Sequence, residues 1–411
     1  MTESRWPGGT PLSIWLVAGE ESGDQLGAKL IRSLRGAHSG PLTLAGVGGD
    51  AMAAAGLPSL FPLEDVAVMG YLAVAARLRL LMRRIRETVQ ACVAARPDVL
   101  VIIDSPGFTH AVASRVRKRL PGLPVVDYVS PSVWAWRPWR AKSMRAYIDH
   151  VLALLPFEPE AHRRLGGPAC TYVGHPLIER LAELRPDAGE ARLREAEEPA
   201  LAVLPGSRRS EIERLMPVFG ATLGRLRAEG ARFTVELPAV TRHRALIGQL
   251  AAAWPVPVRL VEGEADKLAT FRRARAALAA SGTVTLELAL AGVPMVVAYQ
   301  VPKIEEVIVR RLIQVPTIVL PNLILGENAI PELIQADCRP DRLAAALGPL
   351  VAGGAAREAQ DRALRRLDAA MRLPDGDDPS RSAARIVLAA ARRDEAVLRM
   401  DGGPRAAGAK G

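Results

Sequence analysis

In this chain short, wholly apolar runs repeatedly stop at a small-residue loop and give way to a helical period. Leu12–Ala18 leads into Gly19-Glu-Glu-Ser-Gly-Asp24 and the helical Gln25–Arg35. Leu42–Ala45 leads into Gly46-Val-Gly-Gly-Asp-Ala51. Val99–Ile103 ends at Asp104-Ser-Pro-Gly107, with a helix starting near Phe108. Val125–Val129 and Val151–Leu155 continue the series. In the second half, Leu201–Leu204 stops at Pro205-Gly-Ser-Arg208 before a helix starting near Ser210. Phe233–Leu237, Val258–Val261, Ala276–Ala280 and Met295–Tyr299 follow, with helices between them. Strands without polar alternation have to be covered on both faces, which means a parallel sheet with helices on either side. The pattern predicts an α/β chain of two similar, doubly wound halves, and 411 residues suffice for two or three domains. Such sheets bind ligands beyond the carboxyl ends of their strands, so the loops are where chemistry belongs.

Two loops of the second half suit phosphate. Gly206 lets backbone amides approach an anion, Ser207 adds a hydroxyl, and Arg208 adds a planar fork of donors. An ordinary strand–helix turn remains the alternative for this stretch alone. The loop Ser281-Gly282-Thr283 repeats the logic. Glu287, one turn into the following helix, is placed to take a ribose hydroxyl or is simply a surface residue. Asn322 falls in a further loop.

The first half offers acids. Glu20 sits in the first loop, where it either faces a ligand or merely suits a helix N-terminus that Ser22 would cap. Asp104 closes a buried strand, a good place for a general base, with a helix cap as the alternative. Gly46-Val-Gly-Gly-Asp-Ala51 fits G-x-G-x-x-A, but it follows the second strand, and no ribose-binding acid ends the next one, so NAD is not expected. From Val74 on, Leu78, Leu81, Ile85, Val89 and Cys92 share a helical face, opposite Arg77, Arg79, Arg83, Arg84 and Arg86, with Leu80 among the arginines. That is either a core helix with a solvated back or a surface resting on anionic headgroups, with Leu80, Met69 and Leu72 dipping in. Ser130–Trp139 holds Trp134, Trp136 and Trp139, rings that stack on sugars or pack at lipid interfaces. His175, between Gly174 and Pro176, reads as bracing a hinge.

A net charge of +10 (54 basic minus 44 acidic residues) favours anionic partners, while 4% aromatic content argues against single-stranded nucleic acid. The three cysteines are far apart, and no Cys/His cluster suggests a metal or disulfides. Asp375-Gly-Asp377 is a D-x-D, read here as linker and helix cap, so no metal and no cofactor are expected. No signal peptide and no apolar run of about 18 residues are present, which predicts a cytosolic protein.

Ala18–Asp24, Glu64–Gly70, Tyr128–Arg137, Leu155–Glu158, Val173–Pro176, Leu204–Arg208 and Pro321–Ile324 together resemble lipid-A-disaccharide synthases, in order over nearly the whole chain. The resemblance implies a GT-B fold, two Rossmann-like domains facing a cleft. It implies inverting transfer of 2,3-diacylglucosamine from its UDP derivative to 2,3-diacylglucosamine 1-phosphate, giving a β-1,6 disaccharide. The family's catalytic aspartate falls on Asp104, its loop glutamate on Glu20, its donor-site arginine on Arg208 and its asparagine on Asn322. The family's second acid, in Asp-x-Pro-Asp-Phe, is replaced by Gly107, which leaves Asp104 alone in its motif. Family members sit on the inner membrane surface and can be dimers. The expected layout is an acceptor- and lipid-binding domain over 1–176, a linker over 177–199 and a UDP-sugar domain over 200–378. A helix over 379–400 returns to the first domain, and a disordered tail covers 401–411. Another GT-B enzyme, such as an epimerase or peptidoglycan glycosyltransferase, would share the second-half pocket but not the Trp loop. A non-catalytic lipid- or nucleic-acid-binding protein would explain the charge but not two phosphate loops plus Asp104.

Overall fold

The computed structural model describes residues 9–67, 77–302, 315–373 and 376–400. The chain divides into two compact units, Met1–Pro176 with Leu373–Gly411, and Leu177–Arg372.

In the first unit, β1 (Leu12–Ala18), β2 (Leu42–Val47), β3 (Val99–Ile103), β4 (Val125–Tyr128), β5 (His150–Ala153) and β6 (Ala169–Tyr172) form one sheet in the order β2-β1-β3-β4-β5-β6. All pairings are parallel. Every residue of β3 is buried, because side chains on both faces meet helices. One face packs Ile14, Leu16, Val101 and Ile103 against the helix Glu21–Ala37; the other packs Val17, Leu100 and Ile102 against Ile85, Val89 and Val112. The C-terminal helix Pro379–Ala391 lies on Glu21–Ala37, with Ala383, Ile386 and Val387 in that core. The helical reading from Ser380 to Leu398 breaks at Arg393, whose φ is 56°, and resumes over Glu395–Met400.

The second unit repeats the plan. Its strands β7 (Ala200–Leu204), β8 (Thr234–Ala239), β9 (Val258–Glu262), β10 (Ala274–Ala280), β11 (Met295–Tyr299) and β12 (Glu332–Ile334) run in the order β12-β11-β10-β7-β8-β9, again all parallel. The three-residue β12 carries too little apolar pattern to be read from sequence. The core gathers Val203, Phe219, Leu237, Leu278 and Leu347.

Residues 177–199, read as a linker from their charge, are instead stitched onto the second unit. They include the helices Leu181–Leu184 and Ala188–Leu193. Arg194 donates to the carbonyls of Phe271, Arg272, Ala291 and Gly292 at 2.8–3.0 Å, and Glu190 pairs with Arg272 at 2.8 Å. Arg194 and Glu190, which look solvated in sequence, are thus taken up by the orphan carbonyls of helix ends and by an ion pair. The tail 401–411 lies outside the described residues. No described helix is long and apolar enough to cross a membrane.

Candidate active site

In both sheets the strand order reverses beside the unit's first strand, between β1 and β3 and between β7 and β10. The loops flanking such a switch diverge and leave a crevice at the carboxyl edge.

At the first switch, Asp104 follows β3 directly and adopts a left-handed conformation, φ 54°, as does Ser105, φ 43°. Strain of this kind concentrates where surrounding structure holds a working group. The Asp104 carboxylate accepts from the Ser22 hydroxyl at 2.9 Å and from the Ser105 amide at 2.7 Å. It caps no helix, since the next one starts only at Thr109. Ser22 is likewise no N-cap: the helix begins at Glu21 with Glu20 as its cap residue, so the Ser22 hydroxyl is free to reach Asp104. Gly19 makes the meeting of the two loops possible, because a Cβ there would lie 2.5 Å from Ser105 Cβ. The Glu20 carboxyl is raised above the usual range, first by burial and then by the Asp104 charge, against a lowering hydrogen bond from Ser105. Asp104, alone in its own motif, therefore gains a second carboxyl from the β1 loop.

The Gly46–Ala51 loop, the would-be dinucleotide fingerprint, is already filled. The buried Asp24 carboxylate accepts from the amides of Gly49, Ala51 and Met52 at 2.7–3.0 Å. An internal carboxylate occupies the place a pyrophosphate would need.

At the second switch a pocket of about 540 Å³ is lined by Gly206, Ser207 and Arg208 from one loop and by Ser281, Gly282 and Thr283 from the other. Glu287 also lines it, bonded to Lys267 Nζ at 3.1 Å. Lys267, which also pairs with Glu264 at 2.9 Å, had no signal in the sequence, since it comes from a helix after β9. Glu211 lies in the first turn of the helix Arg209–Ala228. Its buried carboxylate accepts from the amides of Ser207 and Arg208 at 3.3 Å and from the Arg208 guanidinium at 2.6 Å. The donors of this loop are thus gathered around one point by a resident carboxylate.

Asn322 corrects an expectation. It lies in the helix Leu320–Leu325 rather than in a loop, is 1% exposed, and spends its amide on the backbone N–H and C=O of Ile330, both at 2.9 Å. It does not line the pocket. Asp375 and Met69 lie outside the described residues. Asp377 accepts from the neighbouring Asp378 amide at 2.9 Å, and it is Asp378 that caps Pro379–Ala391. Among the described residues no group of three His, Cys, Asp or Glu side chains is placed to hold a metal.

The arginine helix spans Leu78–Ala95. Ile85, Val89 and Cys92 are buried as the periodicity predicts, but Leu78, at its start, is 51% exposed. Arg79, Arg83 and Arg86 are exposed and Leu80 is half-buried. Arg84 does not belong to that back. Its guanidinium lies 4.6 Å from the Phe61 ring centre and binds Asp65 at 2.5 Å and Glu87 at 2.6 Å.

The Trp loop follows β4. Trp134 is half-buried edge-on to Phe157, and its Nε1 donates to Glu158 at 3.0 Å. Glu158, 3% exposed, also accepts from the amides of Leu154 and Leu155. Burial pushes its carboxyl up to about 7. The Ser130 hydroxyl meets His162 Nε2 at 2.8 Å. Trp136 is exposed beneath Arg137, whose guanidinium lies 4.3 Å from the ring centre.

A family model described as lipid-A-disaccharide synthetase matches residues 14–380. A lipid-A-disaccharide synthase of Bradyrhizobium diazoefficiens is 54% identical over 380 residues, covering 92% of this chain and 97% of the relative. One of Nitrobacter hamburgensis is 55% identical over 375 residues, covering 91% and 94%. Among solved structures, a putative UDP-N-acetylglucosamine 2-epimerase from Listeria monocytogenes superposes with a TM-score of 0.60 at 13% identity, covering 96% of this chain and 98% of that one. The glycotransferase of kitacinnamycin gives 0.57 at 18%, covering 92% and 99%. These likenesses carry the GT-B fold; the family match and the close relatives carry more, and the chain belongs to the lipid-A-disaccharide synthase family.

Proposed function

We propose that this chain, a glycosyltransferase, transfers 2,3-diacylglucosamine from its UDP derivative to 2,3-diacylglucosamine 1-phosphate, yielding the β-1,6-linked lipid A disaccharide and UDP. The acceptor hydroxyl oxygen forms its bond to the donor's anomeric carbon on the face opposite UDP. The bond to the diphosphate oxygen breaks, its electron pair leaves with UDP, and the hydroxyl proton passes to a base. One such displacement inverts the centre without a covalent intermediate on the protein.

The observation that carries this reading is the posture of Asp104. A carboxylate fixed at a switch point by one hydroxyl and one amide keeps acceptor capacity for an incoming hydroxyl. Glu20, raised by burial and by the Asp104 charge, is suited to hold a proton or donate a hydrogen bond to the sugar. The pocket of Gly206, Ser207, Arg208, Ser281, Gly282 and Thr283 suits the diphosphate, with Glu287 for the ribose. The exposed Arg79, Arg83 and Arg86 support docking on an anionic inner-membrane surface. Mass spectrometry after incubation with both acylated monosaccharides tests the reaction. A disaccharide and an equivalent of UDP are expected; donor consumption without disaccharide would overturn it.

A further inference from the structure

The proposed acceptor carries a phosphate monoester, yet the groups at the first unit's switch point are carboxylates, which repel it. The loop after β4 supplies the missing cation. Arg137 is exposed, lies over Trp136, and has no carboxylate partner among the described residues. Some arginines of this unit are engaged, Arg84 with Asp65 and Glu87, Arg117 with Asp149 and Arg163 with Glu160, while the exposed Arg79 and Arg86 stand on the separate helix Leu78–Ala95. Arg140 donates to the Pro106 carbonyl at 3.1 Å, which braces the Trp loop against the loop that bears Asp104.

The backbone singles out the same place. Seven described non-glycine residues have positive φ, and four of them, Asp104, Ser105, Val129 and Arg137, lie on the adjacent loops after β3 and β4. For valine that conformation is costly, and it persists only where its surroundings impose it. Here they do: the Ser130–His162 and Trp134–Glu158 hydrogen bonds fasten the loop to the helix Glu158–Arg164. A guanidinium already stacked on an indole of a fixed loop loses little freedom when it takes a phosphate, and its fork matches two phosphate oxygens.

We infer that Arg137, stacked on Trp136 in a loop braced to that of Asp104, receives the acceptor's phosphate monoester and distinguishes the acceptor from its dephosphorylated form. This rests on the reaction proposed above. The test compares 2,3-diacylglucosamine 1-phosphate with 2,3-diacylglucosamine in neutral detergent micelles, which hold no phosphate of their own. The dephosphorylated sugar is assayed as substrate, or as competitive inhibitor where it is not turned over. Arg137→Ala should raise the KM of the phosphorylated acceptor about 10- to 100-fold, leaving the constant for the dephosphorylated sugar and the donor KM unchanged. Arg137→Lys should recover part of the loss. An equal rise for both sugars, or no rise for the phosphorylated one, overturns the inference. So does a variant that keeps its discrimination but loses anionic vesicles, which would assign Arg137 to lipid headgroups. If Arg137→Ala does not fold, Arg137→Gln with the same two sugars decides. A wild-type protein that makes no disaccharide would refute the reaction itself, whereas normal turnover with unaltered discrimination in the variant refutes only this site.

Discussion

The two units share a doubly wound parallel plan, though not one strand order, and hold opposite chemistry at their switch points. Where β1 and β3 diverge, the loop ends carry Glu20, Ser22 and Asp104; where β7 and β10 diverge, they carry glycines, hydroxyls and Arg208. Even the internal carboxylates differ in effect. Asp24 fills the Gly46–Ala51 loop of the first unit with three amide bonds of normal length, whereas Glu211 holds the Ser207 and Arg208 amides at 3.3 Å. A doubly wound sheet thus fixes where a ligand goes, and the residues of two loops decide whether that place takes a proton or an anion.

Separating the two roles is the sharpest way to break this comparison. Asp104→Asn should lower turnover by roughly 10²–10⁴-fold, about 3–5 kcal/mol of barrier, while UDP binding by calorimetry stays normal. Near-normal turnover would move the base to Glu20. The converse variant, Arg208→Ala, should weaken UDP by about 2–3 kcal/mol. Unchanged UDP affinity would show that Arg208 serves only its ion pair with Glu211.

A third experiment asks whether the first unit's acid character extends behind the Trp loop. Glu158 titrates near 7 in the folded chain against an ordinary 4.5, so between these values the folded state binds more protons than the unfolded one. Its contribution to stability is full below about 4.5 and is lost as pH rises through about 7. Denaturant unfolding from pH 4.5 to 8 should show this fall in the wild type and a shallower one in Glu158→Gln. Parallel profiles would remove Glu158 as the titrating group.

The smallest effect concerns the arginines. Arg79→Glu with Arg86→Glu should weaken co-sedimentation with anionic vesicles by about 1 kcal/mol per original charge. Arg84→Ala should leave vesicle binding intact and lower the melting temperature instead, because Arg84 is committed to Phe61, Asp65 and Glu87. Equal loss of vesicle binding in both variants would contradict that division.

The local order of the chain determined a great deal. Apolar runs and glycine loops are short-range signals, so β1, β3 and β11 have the bounds read from sequence, Asp104 directly follows β3, and Arg208 stands in the loop between β7 and the next helix, as the pattern requires. What only the tertiary structure decided is which partner each polar group finds. Asp24 and the Gly46 loop, Glu20 and Asp104, Lys267 and Glu287, Asn322 and Ile330, and Arg84 and Asp65 are joined by sheet order and helix packing. The same holds for residues 177–199, whose charge reads as a free linker until the carbonyls of Phe271 and Gly292 are brought beside Arg194. Periodicity reports the faces an element must bury. It carries no record of which distant loop will supply the hydrogen bonds that burial makes obligatory.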